Sequence, residues 1–370
     1  MRKNLFKTLG LVLVLFGLAP VAQANSPSEL SNAIGLYMNG DFTQALSQIE
    51  AYIGTHPNEA TGYLVRGMCR EWEQMSLNKK NDGLSLADYQ KANGLAQLAL
   101  EKNPGDWDAK ILLGNTFMYV AKKQIDSGSK LTGGGTLKKS QGLMNEAITQ
   151  NPNAFDAYLA LGIFNYFSEN IPSGFKWLAM LIGFKGDAAK GITYINKAAS
   201  SPNLTQGDAE FMQLYIAHKK KDYPRALQVS ESLSSKYPGN LKFLNYLIQY
   251  QQRNKAYAAS RESFTKYAAL CQSAGPCNKE NDFLANFFVA WGYMEEKNYQ
   301  EAKPYVLTAV RLNPGKFKDR NVYMDFWQGV VAKSDGKNDE AKSFLQKAAS
   351  GSKHAPEISK MAKEELATLR

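Results

Sequence analysis

Hydrophobic residues in this chain recur at helical rather than alternating spacing. Near the C-terminus, Ile358, Met361, Leu366 and Leu369 share a stretch with Glu357, Lys360, Lys363, Glu364 and Glu365, the pattern of an amphipathic helix with one polar face. Trp107, Trp291 and Trp327 sit among other apolar residues at the same kind of spacing, which predicts core positions. No alternating run bounded by hairpin turns occurs, so strands are not expected. Polar breaks interrupt the helical stretches at Asn39-Gly40-Asp41, at 219–222, at Glu296-Lys297-Asn298 and at Asp335-Gly336-Lys337-Asn338. One segment differs from all of these. From Leu9 to Val21 the chain is almost wholly apolar, preceded by Arg2, Lys3 and Lys7 and followed by Ala22-Gln23-Ala24. A positive end, a short apolar run and a small-x-small site make residues 1–24 a secretory signal peptide, cleaved after Ala24, with a retained anchor as the alternative. No cysteine follows the run, so there is no lipobox. The expected location is periplasmic or secreted.

Eight of the thirteen prolines form a ladder: Pro57, Pro104, Pro152, Pro202, Pro238, Pro276, Pro314 and Pro356. Proline cannot continue the helix before it, whereas its fixed φ suits the first turn of the next. The ladder therefore predicts helix pair, stop, helix pair. Positions counted back from the prolines agree: Ala309, Ala302 and Tyr299 before Pro314, Ala45 and Phe42 before Pro57, Ala226 and Tyr223 before Pro238. Small residues let two antiparallel helices approach, and the aromatics fill the wedge between neighbouring pairs. The tenth residue after Pro57, Pro104 and Pro152 is always glycine (Gly67, Gly114, Gly162), and Gly329 matches it in the last unit. A helical glycine costs about 1 kcal/mol relative to alanine, so four in register predict close packing. The unit ending at Pro276 departs from the pattern, with Phe264 where alanine is expected.

These residues resemble the tetratricopeptide repeat, with its small, aromatic and proline positions at fixed offsets. The resemblance implies an all-α solenoid of roughly seven antiparallel helix pairs, with a concave face used mostly to bind other proteins. It implies no catalytic residue. Division at the prolines gives units 25–57, 58–104, 105–152, 153–202, 203–238, 239–276, 277–314 and 315–370, the last with a capping helix.

The second, third and fourth units are longer than the rest, and the excess falls between their two helices. Insertions at one point of successive repeats project from one edge and often build a binding surface. Residues 76–85 are polar, with Lys79 and Lys80. Residues 122–140 carry Lys122, Lys123, Lys130, Lys138 and Lys139 around Gly133-Gly134-Gly135, read either as a solvated flexible loop or as a binding rim. Residues 171–186 are mostly apolar, with Phe175, Trp177 and Phe184 beside Lys176 and Lys185. Three readings stand for this segment: a buried cap, an apolar floor with a lysine rim for an amphipathic or anionic ligand, or contact with a membrane surface. The enlargement is also similar to two groups of repeat proteins, the T-component proteins of TRAP transporters and the expanded outer-membrane and inclusion-clearance repeat proteins.

Composition narrows the chemistry. With 370 residues, 44% hydrophobic and 21% charged, the chain is too apolar for a disordered tail. A net charge of +10 is spread along the chain, without the dense runs of a nucleic-acid arm. Three histidines, none paired at i+3 or i+4, exclude a histidine-built metal site, and no H-E-x-x-H, P-loop or G-x-S-x-G motif occurs. No cofactor is expected. Cys271 and Cys277 flank Gly275-Pro276 at a turn and can close a local disulfide in an oxidising compartment, while Cys69 reads as a small buried apolar residue. The function expected is that of a non-enzymatic exported scaffold holding another envelope protein by its concave face and enlarged edge. The alternative is a small-molecule or lipid-binding component beside an envelope transporter.

Overall fold

The computed structural model describes residues 28–79, 83–169, 186–274 and 277–369. Among them are seventeen helices and no strand. In chain order they are α1 (Ser28–Met38), α2 (Phe42–Thr55), α3 (Ala60–Leu77), α4 (Leu84–Lys102), α5 (Trp107–Asp126), α6 (Lys130–Gln150), α7 (Phe155–Glu169), α8 (Ala188–Ala199), α9 (Gln206–Lys219) and α10 (Tyr223–Lys236). They continue with α11 (Leu241–Arg253), α12 (Tyr257–Ala274), α13 (Lys279–Glu295), α14 (Tyr299–Leu312), α15 (Lys318–Ser334), α16 (Asn338–Ser350) and α17 (Pro356–Thr368). Odd helices to α15 pair with the even helix that follows, giving eight pairs rather than about seven, and α17 covers the last. The fold is a tetratricopeptide-like helical-repeat solenoid. No described helix is long and apolar enough to cross a membrane.

A shared turn joins the two helices of each short pair. Gly40, Lys221, Lys255, Lys297 and Gly336 take positive φ, between 57° and 95°. The next backbone N–H reaches five residues back in every case: Asp41 to Leu36, Asp222 to Ala217, Ala256 to Gln251, Asn298 to Tyr293 and Lys337 to Ala332, at 2.8–2.9 Å. This left-handed closure satisfies the carbonyls that a helix end leaves open. Asp41 and Asp222 then cap the second helix by accepting from Gln44 N and Arg225 N.

Within a pair, the glycines do what their register predicts. A Cβ on Gly67 would stand 2.5 Å from the Tyr89 ring, one on Gly114 2.7 Å from Met144, one on Gly162 2.6 Å from Ile195 and one on Gly329 2.6 Å from Leu345. Each intruding side chain lies three residues before a fully buried alanine: Ala92, Ala147, Ala198 and Ala348. The first helix thus has a notch and the second a knob, and the pair closes to small-residue distance. In the irregular unit the register is displaced by one: Ser260 and Ser263 are the small buried residues of α12, and Ser260 Oγ donates to Ile248 O at 3.1 Å. Phe264 turns instead toward Tyr305.

The enlarged units differ from expectation. Their extra residues do not form loops between helices of ordinary length; in the second and third units they lengthen the helices to 18–21 residues, against 11–14 in the first pair. Residues 122–140 in particular are helical apart from the short turn after Asp126. Gly133 and Gly134 are buried inside α6, and a Cβ on Gly133 would meet Ile125 Cγ1 at 2.6 Å and Ala121 O at 2.9 Å. These glycines serve helix approach, not flexibility. The apolar insertion of the fourth unit, residues 170–185, lies outside the described residues.

The stack bends until it meets itself. The turn after α1 touches the turn before α11: Asn39 Oδ1 accepts from Gly239 N at 2.8 Å, and Asn240 Nδ2 donates to Met38 O at 2.6 Å, across some 200 residues of sequence. A Cβ on Gly239 would fall 2.7 Å from Asn39 O. Farther along, Asn281 Nδ2 donates to Ser76 O at the end of α3 (3.1 Å). One core runs from Leu30 to Tyr250 and a second from Leu244 to Ala362, with α11 contributing to both.

Gly67→Ala is expected to lower unfolding free energy by about 1–3 kcal/mol, because the buried Tyr89 ring has nowhere to go. Gly94→Ala, on a helix face with nothing within 4 Å of the new methyl, is expected to raise it by about 0.5–1 kcal/mol. Urea unfolding of both variants checks the pair; a shift of the same sign in both contradicts the notch-and-knob account.

Candidate functional site

The inner helices of a curved stack of pairs are the odd-numbered ones, and their inward faces divide into a closed and an open part. In the closed part the arc is filled. Trp72 Nε1 of α3 donates to Asp208 Oδ1 of α9, and Tyr119 OH of α5 donates to Asp208 Oδ2, both at 2.9 Å. Tyr89 stacks on Tyr119 at 4.8 Å, and Trp72 meets Phe211 and Phe243 edge-on. One carboxylate of the fifth pair thereby joins the second and third pairs, across 136 and 89 residues of sequence. Enclosure raises the Asp208 carboxyl to about 6 despite both donors, with Glu71 nearby adding to the rise. Asp156, accepting from Thr205 N at 3.1 Å, is raised by burial to about 7.

Past Asp208 the inner face opens. Helices α9, α11, α13 and α15 border a recess of about 360 Å³. On α11, Lys242, Asn245, Tyr246 and Gln249 recur at helical spacing and so share one face. Phe211, Tyr215, Leu284 and Phe317 supply apolar walls, and Arg320 closes the far side. The polar floor is ordered: Asn245 Nδ2 donates to Asn281 O at 2.6 Å, and Asn281 in turn reaches Ser76. The closing contacts of the arc therefore hold the floor of the recess.

Its electrostatics are one-sided. Lys219, Lys242 and Arg320 border the recess against a single carboxylate, Glu280, which is already bonded to Lys316 at 2.6 Å. The Arg320 guanidinium lies over the Phe317 ring at 4.2 Å and within 5.5 Å of Phe287 and Phe288. Its buried Nη1 has no hydrogen-bond partner. Burial is the main cause that lowers Arg320 to about 10, and it also lowers Lys242 below the ordinary lysine range, with Lys316 nearby acting in the same direction. Lys242 Nζ has one long hydrogen bond, 3.4 Å to Met75 O, and lies 5.8 Å from the Tyr246 ring centroid. His218 at the rim pairs with Tyr250 OH at 3.0 Å and is held below its usual range by burial and by Arg253.

The residues singled out from sequence are placed differently. Phe175, Trp177, Phe184, Lys176 and Lys185 lie outside the described residues. Lys122 and Lys123 sit on α5, Lys122 bonded to Glu71 of α3 at 2.6 Å and to Asp126 at 3.0 Å, and Lys123 to Glu71 at 3.6 Å. Lys130, Lys138 and Lys139 lie on α6, Lys139 over Phe117 at 5.9 Å. They do not converge with the recess. Four apolar side chains at the tips of the second and third pairs (Leu77, Leu84, Ile125 and Leu131) are 38–56% exposed. Cys271 and Cys277 are joined by a disulfide that ties the end of α12 to the start of α13, with their Cα atoms 5.3 Å apart. Cys69 is fully buried, which pushes its thiol up to about 12. Sequence reading did not single out Lys242, Tyr246 or Arg320. The signal that was there is a lysine and an arginine three to four residues from aromatics on first helices of short units.

No protein-family model and no curated protein matches the sequence. Among solved structures, the chain is similar to PilF of Pseudomonas aeruginosa at 15% identity, covering 68% of this chain and 97% of that one, with a TM-score of 0.45. It is similar to the C-terminal part of a TPR repeat-containing protein of Cytophaga hutchinsonii at 17% identity, 77% and 95% coverage and a TM-score of 0.40. Yeast Tom70 aligns at 12% identity over 91% of this chain and 80% of its own, with a TM-score of 0.39. At these scores nothing about partner or ligand passes from those proteins to this chain.

Because Asp208 is held above its ordinary 3.8, at about 6, its ionisation opposes folding. The stability it contributes is complete below about pH 3.8 and is lost as pH rises through about 6. Asp208→Asn keeps an acceptor for Trp72 and removes the titration. The variant is expected to gain on the parent by about 2–3 kcal/mol between pH 4 and pH 7, read by urea unfolding across that range. A pH-independent difference would mean the carboxyl is not held above its ordinary range.

Proposed function

We propose that this chain is an exported, non-enzymatic adaptor that holds a segment of another envelope protein. The segment lies along the inner face of α9, α11, α13 and α15, with the exposed tips of the enlarged pairs as an outer contact edge. The observation that carries this reading is the recess itself: the arc is filled up to Asp208 and open beyond it, with Lys219, Lys242 and Arg320 bordering the opening against a single carboxylate, Glu280, that is bonded to Lys316. The helical-repeat architecture, which presents long continuous inner surfaces, supports a scaffold role. Residues 1–24 support export.

A second reading, a small-molecule or lipid carrier beside an envelope transporter, draws support from the size of the recess, which lies within the range of small-ligand sites. Native mass spectrometry of gently purified protein separates the two, since a retained small molecule favours the carrier.

For the adaptor, a photocrosslinking amino acid at Tyr246 is expected to capture one envelope protein in cells, while the same group at Leu98, exposed on α4, captures none. No capture from Tyr246, or equal capture from both sites, contradicts the reading. Export has its own check. N-terminal sequencing of the mature protein is expected to begin at Asn25, and a chain retaining Met1 to Ala24 in the cytoplasm would remove the envelope from the proposal.

A further inference from the structure

We infer that the recess is a saccharide site: a mono- or disaccharide lies against the Tyr215 and Tyr246 rings and shares its hydroxyl groups among Gln249, Asn245, Tyr246 and Glu280. This inference rests on the small-molecule reading of the recess and gives that molecule a chemical class. A protein segment in the same space is the competing outcome.

The unfinished polar groups of the recess carry the argument. Gln249 is 7% exposed and lines the recess, and among the described residues its side-chain amide has no hydrogen-bond partner. An unpartnered amide at that depth costs stability. Neither of its polar atoms is sealed from solvent, so the amide opens to the recess. Asn245 spends its Nδ2 on Asn281 O, which leaves Oδ1 as an acceptor there. The Tyr246 hydroxyl has no hydrogen-bond partner either. Burial raises it to about 12, with Glu280 adding to the rise, so it stays an intact O–H. Glu280 gives one oxygen to Lys316 and keeps the other.

Donors and acceptors therefore border one space, and a ligand has to answer both. A carboxylate or phosphate offers acceptors alone and would meet Glu280 with like charge. An acyl chain answers neither. A hydroxyl donates once and accepts twice, and a sugar ring carries several on a rigid frame that loses little freedom on binding. The walls agree with this class. Phe211, Tyr215 and Tyr246 are partly exposed in the recess, and the Phe211 and Tyr246 rings stand 5.9 Å apart, tilted by 49°. Aromatic faces carry negative charge density, which attracts the C–H face of a sugar ring. Lys242, Asn245, Tyr246 and Gln249 span two turns of α11, about 10 Å along its axis. That is the length of a disaccharide, and the recess, at about 360 Å³, has the size of a small-ligand site.

The test places the full mature protein on an array of hexose, N-acetylhexosamine and uronic acid oligosaccharides, followed by titration calorimetry with the disaccharide it holds most tightly. The expected result is saturable binding of at least one disaccharide, weakened about tenfold in Gln249→Leu. Tyr246→Phe, which keeps the ring and loses the hydroxyl, is expected to weaken it several-fold. Gln249→Leu has a second readout that a glutamine serving the fold would not give. Because its amide is unpartnered in the empty recess, the substitution is expected to raise Tm while binding falls. An array without binding overturns the inference, and so does a folded Gln249→Leu variant with lowered Tm and unchanged affinity. Binding confined to uronic acids, lost in Lys242→Gln and kept in Gln249→Leu, overturns it in favour of an anion site. If native mass spectrometry finds a retained small molecule that is not a saccharide, the saccharide assignment falls and the small-molecule reading stands. If crosslinking from Tyr246 captures a protein while the array stays blank, both fall and the adaptor stands.

Discussion

The close approach of the two helices within each pair is the constraint from which the rest of the architecture follows. A glycine notch on the first helix and a bulky knob on the second bring the backbones together at Gly67, Gly114, Gly162 and Gly329. The knob lies three residues before an alanine that is itself fully buried. Tight pairs of this kind stack as wedges, and a stack of wedges curves. Curvature then carries the first pair round until Met38 and Asn39 reach Gly239 and Asn240. A side chain larger than hydrogen at 239 would collide with the Asn39 backbone, so the meeting point depends on a small residue just as the four notched pairs do.

Closure determines where a ligand can go. Once the arc meets itself, the inner faces of α1 to α7 pack against one another, α9 and the start of α11, and Trp72, Tyr89 and Tyr119 fill the space around Asp208. Beyond α9, the contacts across the arc come from the start of α11 (Gly239, Asn240 and Phe243) and from Asn281 of α13. The other inner faces of the fifth to eighth pairs remain lined by aromatics and cations with no core to complete them. Arg320 and Lys242 border this unfilled space, and Asn281 ties its floor to the end of α3. The open recess and the closed arc are two consequences of one geometry: a longer stack than the curvature can close.

Much of the pair geometry is legible in the sequence because it is written in residues with few alternatives. Proline stops a helix, glycine admits a knob, alanine permits contact, and all three fall at fixed offsets. The enlarged units were harder to read. Gly133-Gly134-Gly135 reads as a flexible loop on composition, yet in place Gly133 and Gly134 are buried against α5, because glycine can mean freedom or closeness and only the neighbour decides. Lys122 and Lys123 read as part of a solvated loop or of a binding rim; their shared partner Glu71 lies about fifty residues away and leaves no local signal. Asp208 carries no local signal, and Asn240 shows only its role as the cap of α11, since the contacts that close the arc come from pairs on its far side. Arg320 could be noticed beside Phe317, but its lack of a partner is a property of the folded molecule alone.

The claim on which this account stands is that the first pair touches the turn before α11. Electron-resonance distance measurement between spin labels at Thr43 and Ser235, both exposed near that contact, tests it most directly. The account predicts a single short, narrow distance distribution in the full chain, widened and lengthened when Asn39 and Asn240 are both replaced by alanine. A broad, long distribution in the parent protein, as an open stack would give, contradicts the closed arc and with it the origin assigned to the recess.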